Sequence, residues 1–379
     1  MSVEGPRPAA RSGARQGDPA KLAALRAAAQ LLHRPATARH PADVARAICG
    51  AQAQDPSAGR LAFRARSAHL RAVEVDRART EERSLLRTWA MRGTMHLIAT
   101  EDAAWLVPLF EQTFAENSTR RLLQLGIDLP TQERALREVR KALKADGPLT
   151  RGDLVERLAL KKIVLDSSTR LHLFRLAIAR GIACLGPDAG SQTCLVFAPD
   201  WLGQRPRHRR EAALRELARR YLRAFGPATE ADFAGWAGLG VREIRSALAG
   251  IGSELIEARM GDRTAWTLKG AVRRPRRRIV RLLPAWDTYL MGHRDREFIA
   301  EPARWRRIMP GGGLLRPAIV VDGVAAGTWR LRRGGTALKV ELEPFTDLDS
   351  AVAEALAAEV ADVGRFEGRP AELVEAAAG

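Results

Sequence analysis

The sequence predicts an α+β chain built from three tandem winged-helix units followed by a small β-barrel-like module. Three observations predict it. An internal repeat places Gly147-Pro148-Leu149-Thr150-Arg151-Gly152-Asp153-Leu154 79 residues ahead of Gly226-Pro227-Ala228-Thr229-Glu230-Ala231-Asp232-Phe233. Each copy follows an amphipathic helical stretch and precedes another helix and a hairpin-like apolar run. After Arg273 the pattern changes to short apolar strands separated by Gly311-Gly312-Gly313, Asp322-Gly323 and Gly334-Gly335.

Residues 1–18 are rich in Gly, Pro, Arg and Ser and read as a disordered tail. Residues 19–124 form the first unit. Its helical spacing begins with Leu22, Leu25, Ala28, Leu31 and Leu32, and a weaker third copy of the repeat starts at His40-Pro41-Ala42-Asp43-Val44. Residues 125–204 hold the first clear copy, and residues 205–272 the second. In both, Thr is followed three residues later by Asp, a variant of the helix N-cap signal. Hairpins are expected over 182–197 and 255–268. Residues 273–379 form the β-rich module. Strands are expected at 279–283, 318–321, 325–331 and 337–342, with a closing helix over 350–363.

Composition narrows the function classes. The formal net charge is +18, and 55 of the 62 basic residues are Arg. Arginine offers a planar fork that binds two phosphate oxygens at once, so the excess points to a polyanionic partner. No run approaches the ~20 apolar residues of a transmembrane helix, so no membrane partner is expected. Cys49, Cys184 and Cys194 lack metal-ligand spacing, and the seven His form no HxxxH pattern. A reduced cytoplasmic, nucleoid-associated monomer without metal or cofactor is the expectation.

The candidate site is Gln52-Ala53-Gln54-Asp55-Pro56. Pro56 drives Asp55 out of the α region, so a helix is expected to end here. Residues i and i+2 point about 200° apart on a regular helix, so both amides share a cleft only if that helix loosens. A neutral amide cannot act as a general base. It can position water and donate to a sugar or base edge. Asp55 is either an electrostatic stabiliser beside the pair or a helix-end residue. Downstream, Trp89-Ala90-Met91-Arg92-Gly93-Thr94-Met95-His96-Leu97 supplies Thr94 and His96. His96 either faces the site or is a satisfied core histidine. Candidate DNA-binding residues are Arg92, the linker residues Arg205, Arg207 and Arg209, the linker residues Arg276, Arg277 and Arg278, and Arg330, Arg332 and Arg333 on a β-hairpin.

Together these segments resemble the AlkZ-type winged-helix DNA glycosylases, with Gln52-Ala53-Gln54 matching the family's Gln-apolar-Gln or Gln-apolar-Asp signature. The segments Leu282 to Arg296, Gly311 to Pro317 and Gly327-Thr328-Trp329-Arg330 also resemble the family, although Trp286 stands where Phe is usual. The resemblance covers most of residues 20–345. It implies a glycosylase that releases N7- or N3-alkylpurines from double-stranded DNA, including bulky adducts and interstrand crosslinks. It also implies self-protection in a producer of a DNA-alkylating natural product, and a cleft lined by Gln52, Gln54, Thr94 and His96. No Lys is near the motif in sequence, so hydrolysis without lyase chemistry is expected. The rival reading is a non-catalytic winged-helix regulator or damage-binding protein.

Overall fold

The structure is a computed structural model that describes residues 18–190, 192–203, 208–260, 262–270 and 278–374. The tail at 1–17 and four candidate DNA contacts, Arg205, Arg207, Arg276 and Arg277, lie outside the described residues.

The first block opens with the helix Pro19–Ala29 and the helix Pro41–Ala47. Strand β1 (Ala51–Gln52), the helices Pro56–Arg64 and Ala72–Thr80, and strands β2 (Leu85–Trp89) and β3 (Met95–Ala99) follow. The three strands pair in the order β1-β3-β2. Pro at the first turn of several helices fits there because its missing N–H is an orphan donor anyway.

A 17-residue helix, Pro108–Gln124, leads into the second block. That block holds helices Leu129–Asp146, Arg151–Leu160 and Ser167–Ala179, then β4 (Ala183–Ala189) and β5 (Gln192–Phe197). The third block repeats this order with helices Arg210–Phe225, Glu230–Ala237 and Val241–Ala249, then β6 (Leu255–Met260) and β7 (Arg263–Leu268). The repeated Thr-x-x-Asp motif closes reciprocal capping boxes in both, Thr150 with Asp153 and Thr229 with Asp232. A residue just before each cap pairs with the last strand of its hairpin, Leu149 with Leu195 and Ala228 with Trp266. In the first block the pairing of Gln52 with His96 holds the corresponding place.

The C-terminal module corrects one expectation. Strands β8 (Val280–Leu283), β9 (Ala318–Val321), β10 (Val324–Arg333), β11 (Leu338–Pro344) and β12 (Ala371–Val374) form an open sheet in the order β12-β11-β10-β9-β8, not a barrel. The helix Ser350–Glu367 removes the need for closure. Its Val352, Leu356, Val360, Val363 and Phe366 share one core with Val280, Leu282, Ile319, Trp329 and Val340. The chain then returns β12 parallel to β11, a four-residue strand that the sequence pattern did not signal.

This core also contains Val44, Ile48, Ala51, Ala53, Phe63 and Leu97, so the sheet and the first block pack as one body. Buried arginines tie the two together. Arg66 makes a two-pronged bond to Asp287 (2.8 and 2.8 Å) and also donates to Gln30 and the Ala62 carbonyl, and both charged groups are fully buried. Arg64 reaches Glu359 and Asp362, each at 3.0 Å.

Candidate active site

The glutamine pair does not sit at a loosened helix end. Cys49 and Gly50 adopt positive φ (57° and 91°), which stops the preceding helix before the motif. The chain then runs extended, with Ala51 opposite Leu97 and Gln52 opposite His96. Gln54 sits in the bend that follows, and both glutamines lie against β3, Gln52 through its pairing with His96 and Gln54 through the Met95 N–H. Pro56 begins a helix here. Asp55 is its N-cap and accepts hydrogen bonds from the backbone N–H of Ser57 (2.7 Å) and Ala58 (3.0 Å).

The residue between the glutamines is small for a reason. Ala53 is completely buried, and a Cβ added at Gly59 would come within 2.7 Å of the Ala53 Cβ. Gly59 therefore lets the helix Pro56–Arg64 lie directly on the motif.

Beyond β1, contact with β3 continues through an exchange of acceptors. The Ala53 N–H donates to the Met95 carbonyl at 2.8 Å, as a ladder requires. The Ala53 carbonyl accepts instead from Arg87, whose Nε and Nη2 lie 3.3 and 3.1 Å away. The Met95 N–H donates to Gln54 Oε1 at 3.3 Å, so the side-chain amide stands in for a main-chain carbonyl. Gln54 is otherwise exposed, whereas Gln52 is 5% exposed.

Gln52, His96 and Thr88 lie side by side across the three strands. His96 is buried, and its Nδ1 lies 3.0 Å from the Thr94 carbonyl. A carbonyl only accepts, so Nδ1 carries the proton and Nε2 is the bare nitrogen. Burial, reinforced by the Arg92 charge, pushes the His96 pKa down to about 3. Its neutrality has a stability consequence. Above pH ~6.5 the ring is neutral in both folded and unfolded chains. As pH falls from ~6.5 towards 3, only the unfolded chain takes the proton, so stability drops by about 1.4 kcal/mol per pH unit from this residue. His96→Gln is expected to flatten the acid limb of a urea-stability profile in that window. An unchanged slope would refute the assignment.

Thr94 turns its hydroxyl away to the Met91 carbonyl at 3.1 Å. Arg92 is no free surface cation. Its Nη2 donates to Gln52 Oε1 at 3.3 Å, and its Nη1 donates to the Trp236 carbonyl at the end of the helix Glu230–Ala237. Burial, with the nearby Arg296 charge second, lowers its pKa to about 10. The structure thus brings Gln52, Gln54, Thr94, His96 and Arg92 together.

The remaining basic candidates are dispersed. Arg209 is exposed at the start of the helix Arg210–Phe225. Arg278 pairs with Asp349 at 2.9 Å and with Asp322 at 3.7 Å. Arg330 is exposed on β10. Arg332 pairs with Glu341 at 2.7 Å and Arg333 with Glu367 at 3.0 Å. An exposed pair such as Arg278–Asp349 contributes little, about 0–1 kcal/mol, whereas Glu341 and Glu367 are largely buried carboxylates.

Sequence reasoning missed Arg87, Arg296 and the Trp236 carbonyl. Arg296 packs over Trp305 at 5.1 Å and, among the described residues, pairs with no carboxylate. An Arg inside an otherwise apolar strand, as at 87, was the one available signal. Neither Arg296 nor a main-chain carbonyl 144 residues from Arg92 leaves such a mark.

Comparisons with known proteins match most of the chain. The profile described as "DNA glycosylase AlkZ-like" matches residues 45–366, from just before the motif to the last long helix. The chain belongs to the AlkZ-like DNA glycosylase family. One AlkZ-like relative, named an interstrand DNA cross-link repair glycosylase, comes from Streptomyces sahachiroi. It is 29% identical over 353 residues, covering 88% of this chain and 92% of the relative. The solved structure of Streptomyces sahachiroi DNA glycosylase AlkZ superposes with a TM-score of 0.77 at 27% identity. The match covers 96% of this chain and all of the other. This AlkZ-like chain is therefore an enzyme of the glycosylase type. No helix among its described residues is long and apolar enough to cross a membrane.

Proposed function

We propose that this chain is a monofunctional glycosylase that hydrolyses the N-glycosidic bond of N7- and N3-alkylpurines in duplex DNA. Bulky adducts and interstrand crosslinks are included, as the name of the Streptomyces sahachiroi relative suggests for that protein. Its three helix-and-hairpin blocks, 19–124, 125–204 and 205–272, would act as winged-helix units that hold the duplex, with 273–379 as a supporting module. Three non-identical blocks favour a monomer. In a producer of a DNA-alkylating natural product the role would be self-protection.

One observation carries the reading: two neutral amides lie against the same strand as a neutral imidazole, with the adjacent carboxylate capping a helix. Each amide oxygen has two lone pairs, and among the described residues one protein donor reaches each. The second can accept a proton of the attacking water, while each NH2 group donates to the sugar or the base edge. Such groups position a nucleophile but cannot protonate a leaving base. An N7- or N3-alkylpurine carries a formal positive charge and departs without an acid. Monofunctional chemistry fits the lysines, since Lys21 and Lys141, the nearest by sequence, are surface residues beside Asp18 and Glu138. A base tied to both strands cannot be flipped freely into a pocket, so an open face suits it.

The test is incubation with duplex carrying 7-methylguanine, or a site-specific N7 crosslink, under single-turnover conditions. Release of the free base with an abasic, uncleaved strand is expected. Binding without release on every alkylpurine tried would favour the non-catalytic damage-binding reading.

A further inference from the structure

We propose that Arg92 is a positioning residue that fixes the Gln52 amide and couples it to the third block, and is not a phosphate contact. The inference rests, for its kinetic readout, on the glycosylase reading above.

Four observations converge on it. Arg92 bridges two elements far apart in sequence, donating to Gln52 Oε1 through Nη2 and to the Trp236 carbonyl through Nη1. An arginine has no acceptor, so the contact permits one orientation of the Gln52 amide, oxygen towards the guanidinium and NH2 away. Second, the Arg92 backbone is left-handed (φ 56°), an uncommon conformation for a residue with a side chain. Third, Gly238 (φ 72°) approaches it so closely that a Cβ there would lie 3.0 Å from the Arg92 Cα and 3.1 Å from its N. The third block therefore abuts the Arg92 backbone and holds its guanidinium at once. Fourth, among the described residues no carboxylate pairs with Arg92. A phosphate-binding arginine gains most when it is solvent-reachable before binding. Arg92 is largely withdrawn from water, and its donors already have fixed protein partners.

The consequence is a mechanical link. Any movement of the helix Glu230–Ala237 on the duplex is transmitted through the Trp236 carbonyl and Arg92 to the amide that orients the water. Small misplacements of positioning groups cost large factors in rate.

The experiment compares Arg92→Met, Gly238→Ala, Gln52→Ala and Arg92→Met/Gln52→Ala with the full-length protein. A thermal midpoint is recorded for each, and Gly238→Ala, which presses on the Arg92 backbone while changing no polar side chain, should lower the saturated rate with the salt slope unchanged. Arg92→Met is expected to lower the single-turnover rate at saturating 7-methylguanine duplex by about 10- to 100-fold. Duplex affinity should stay within about 3-fold, with the slope of log affinity against log salt unchanged. In the Gln52→Ala background the same change should add little, the non-additivity expected of residues that act through one another. A salt slope that falls by about one, with the saturated rate unchanged, would make Arg92 a phosphate contact and overturn the proposal. Fully additive rate losses would overturn it too. A readout independent of activity is the side-chain NH2 resonance of Gln52, assigned by its loss in Gln52→Ala. It should shift in Arg92→Met, and an unmoved resonance refutes the link. If the wild type releases no alkylpurine, the glycosylase reading fails, and this resonance still decides the role of Arg92.

Discussion

Replacing Gln52 or Gln54 by Ala is expected to lower the single-turnover rate of alkylpurine release by about 100-fold or more each, since the barrier is reduced here by placement of a water and donors rather than by proton transfer. The two variants should part company in stability. Gln52 is buried, and its oxygen receives the Arg92 guanidinium, so truncation leaves a buried donor unpaired and costs about 1–3 kcal/mol. Gln54 is exposed and holds one backbone N–H at 3.3 Å, so its loss should cost less than ~1 kcal/mol. Single-turnover assays and urea melts on both variants check the pair of statements. Equal destabilisation, or full activity in either, would contradict the geometry described for the motif.

Asp287→Ala should cost about 3–5 kcal/mol of stability, because it strands the fully buried Arg66 guanidinium. Asp287 also accepts from the Tyr289 N–H at 2.9 Å, where it caps the short helix Thr288–Met291. The loss should be detected as a fall in urea midpoint with no change in the denaturant slope. Replacing Arg66 and Asp287 together by apolar residues should recover much of it, since the cost is that of an unpaired buried charge. A single Asp287→Ala variant within ~1 kcal/mol of wild type would show that the pair does not fasten the C-terminal module to the first block.

Much of this organisation is legible in the residues. The Gly-Pro-x-Thr-x-x-Asp repeat locates two capped helices because both signals are local: a residue type and a three-residue spacing. Strand positions after Arg273 follow from apolar runs bounded by Gly turns. The motif's own conformation is harder. Pro56 looks the same whether it ends one helix or starts the next, and the decisive signals, positive φ at Cys49 and pairing of Gln52 with His96, are respectively unusual for Cys and 44 residues away. Sheet closure is equally non-local, since it depends on the helix Ser350–Glu367 lying across the strands. Arg92 has the charge of a DNA contact in the sequence. In the fold its partners are the Gln52 amide oxygen and the Trp236 carbonyl, with Gly238 packed against its backbone.

The central claim is that two neutral amides suffice because the substrate base is already a cation. It is tested most directly by single-turnover release from matched duplexes carrying 7-methylguanine or 7-methyl-7-deazaguanine, which share a shape but differ in charge at position 7. Release of the cationic base and no detectable release of the neutral isostere are expected. Comparable release of both would contradict the claim.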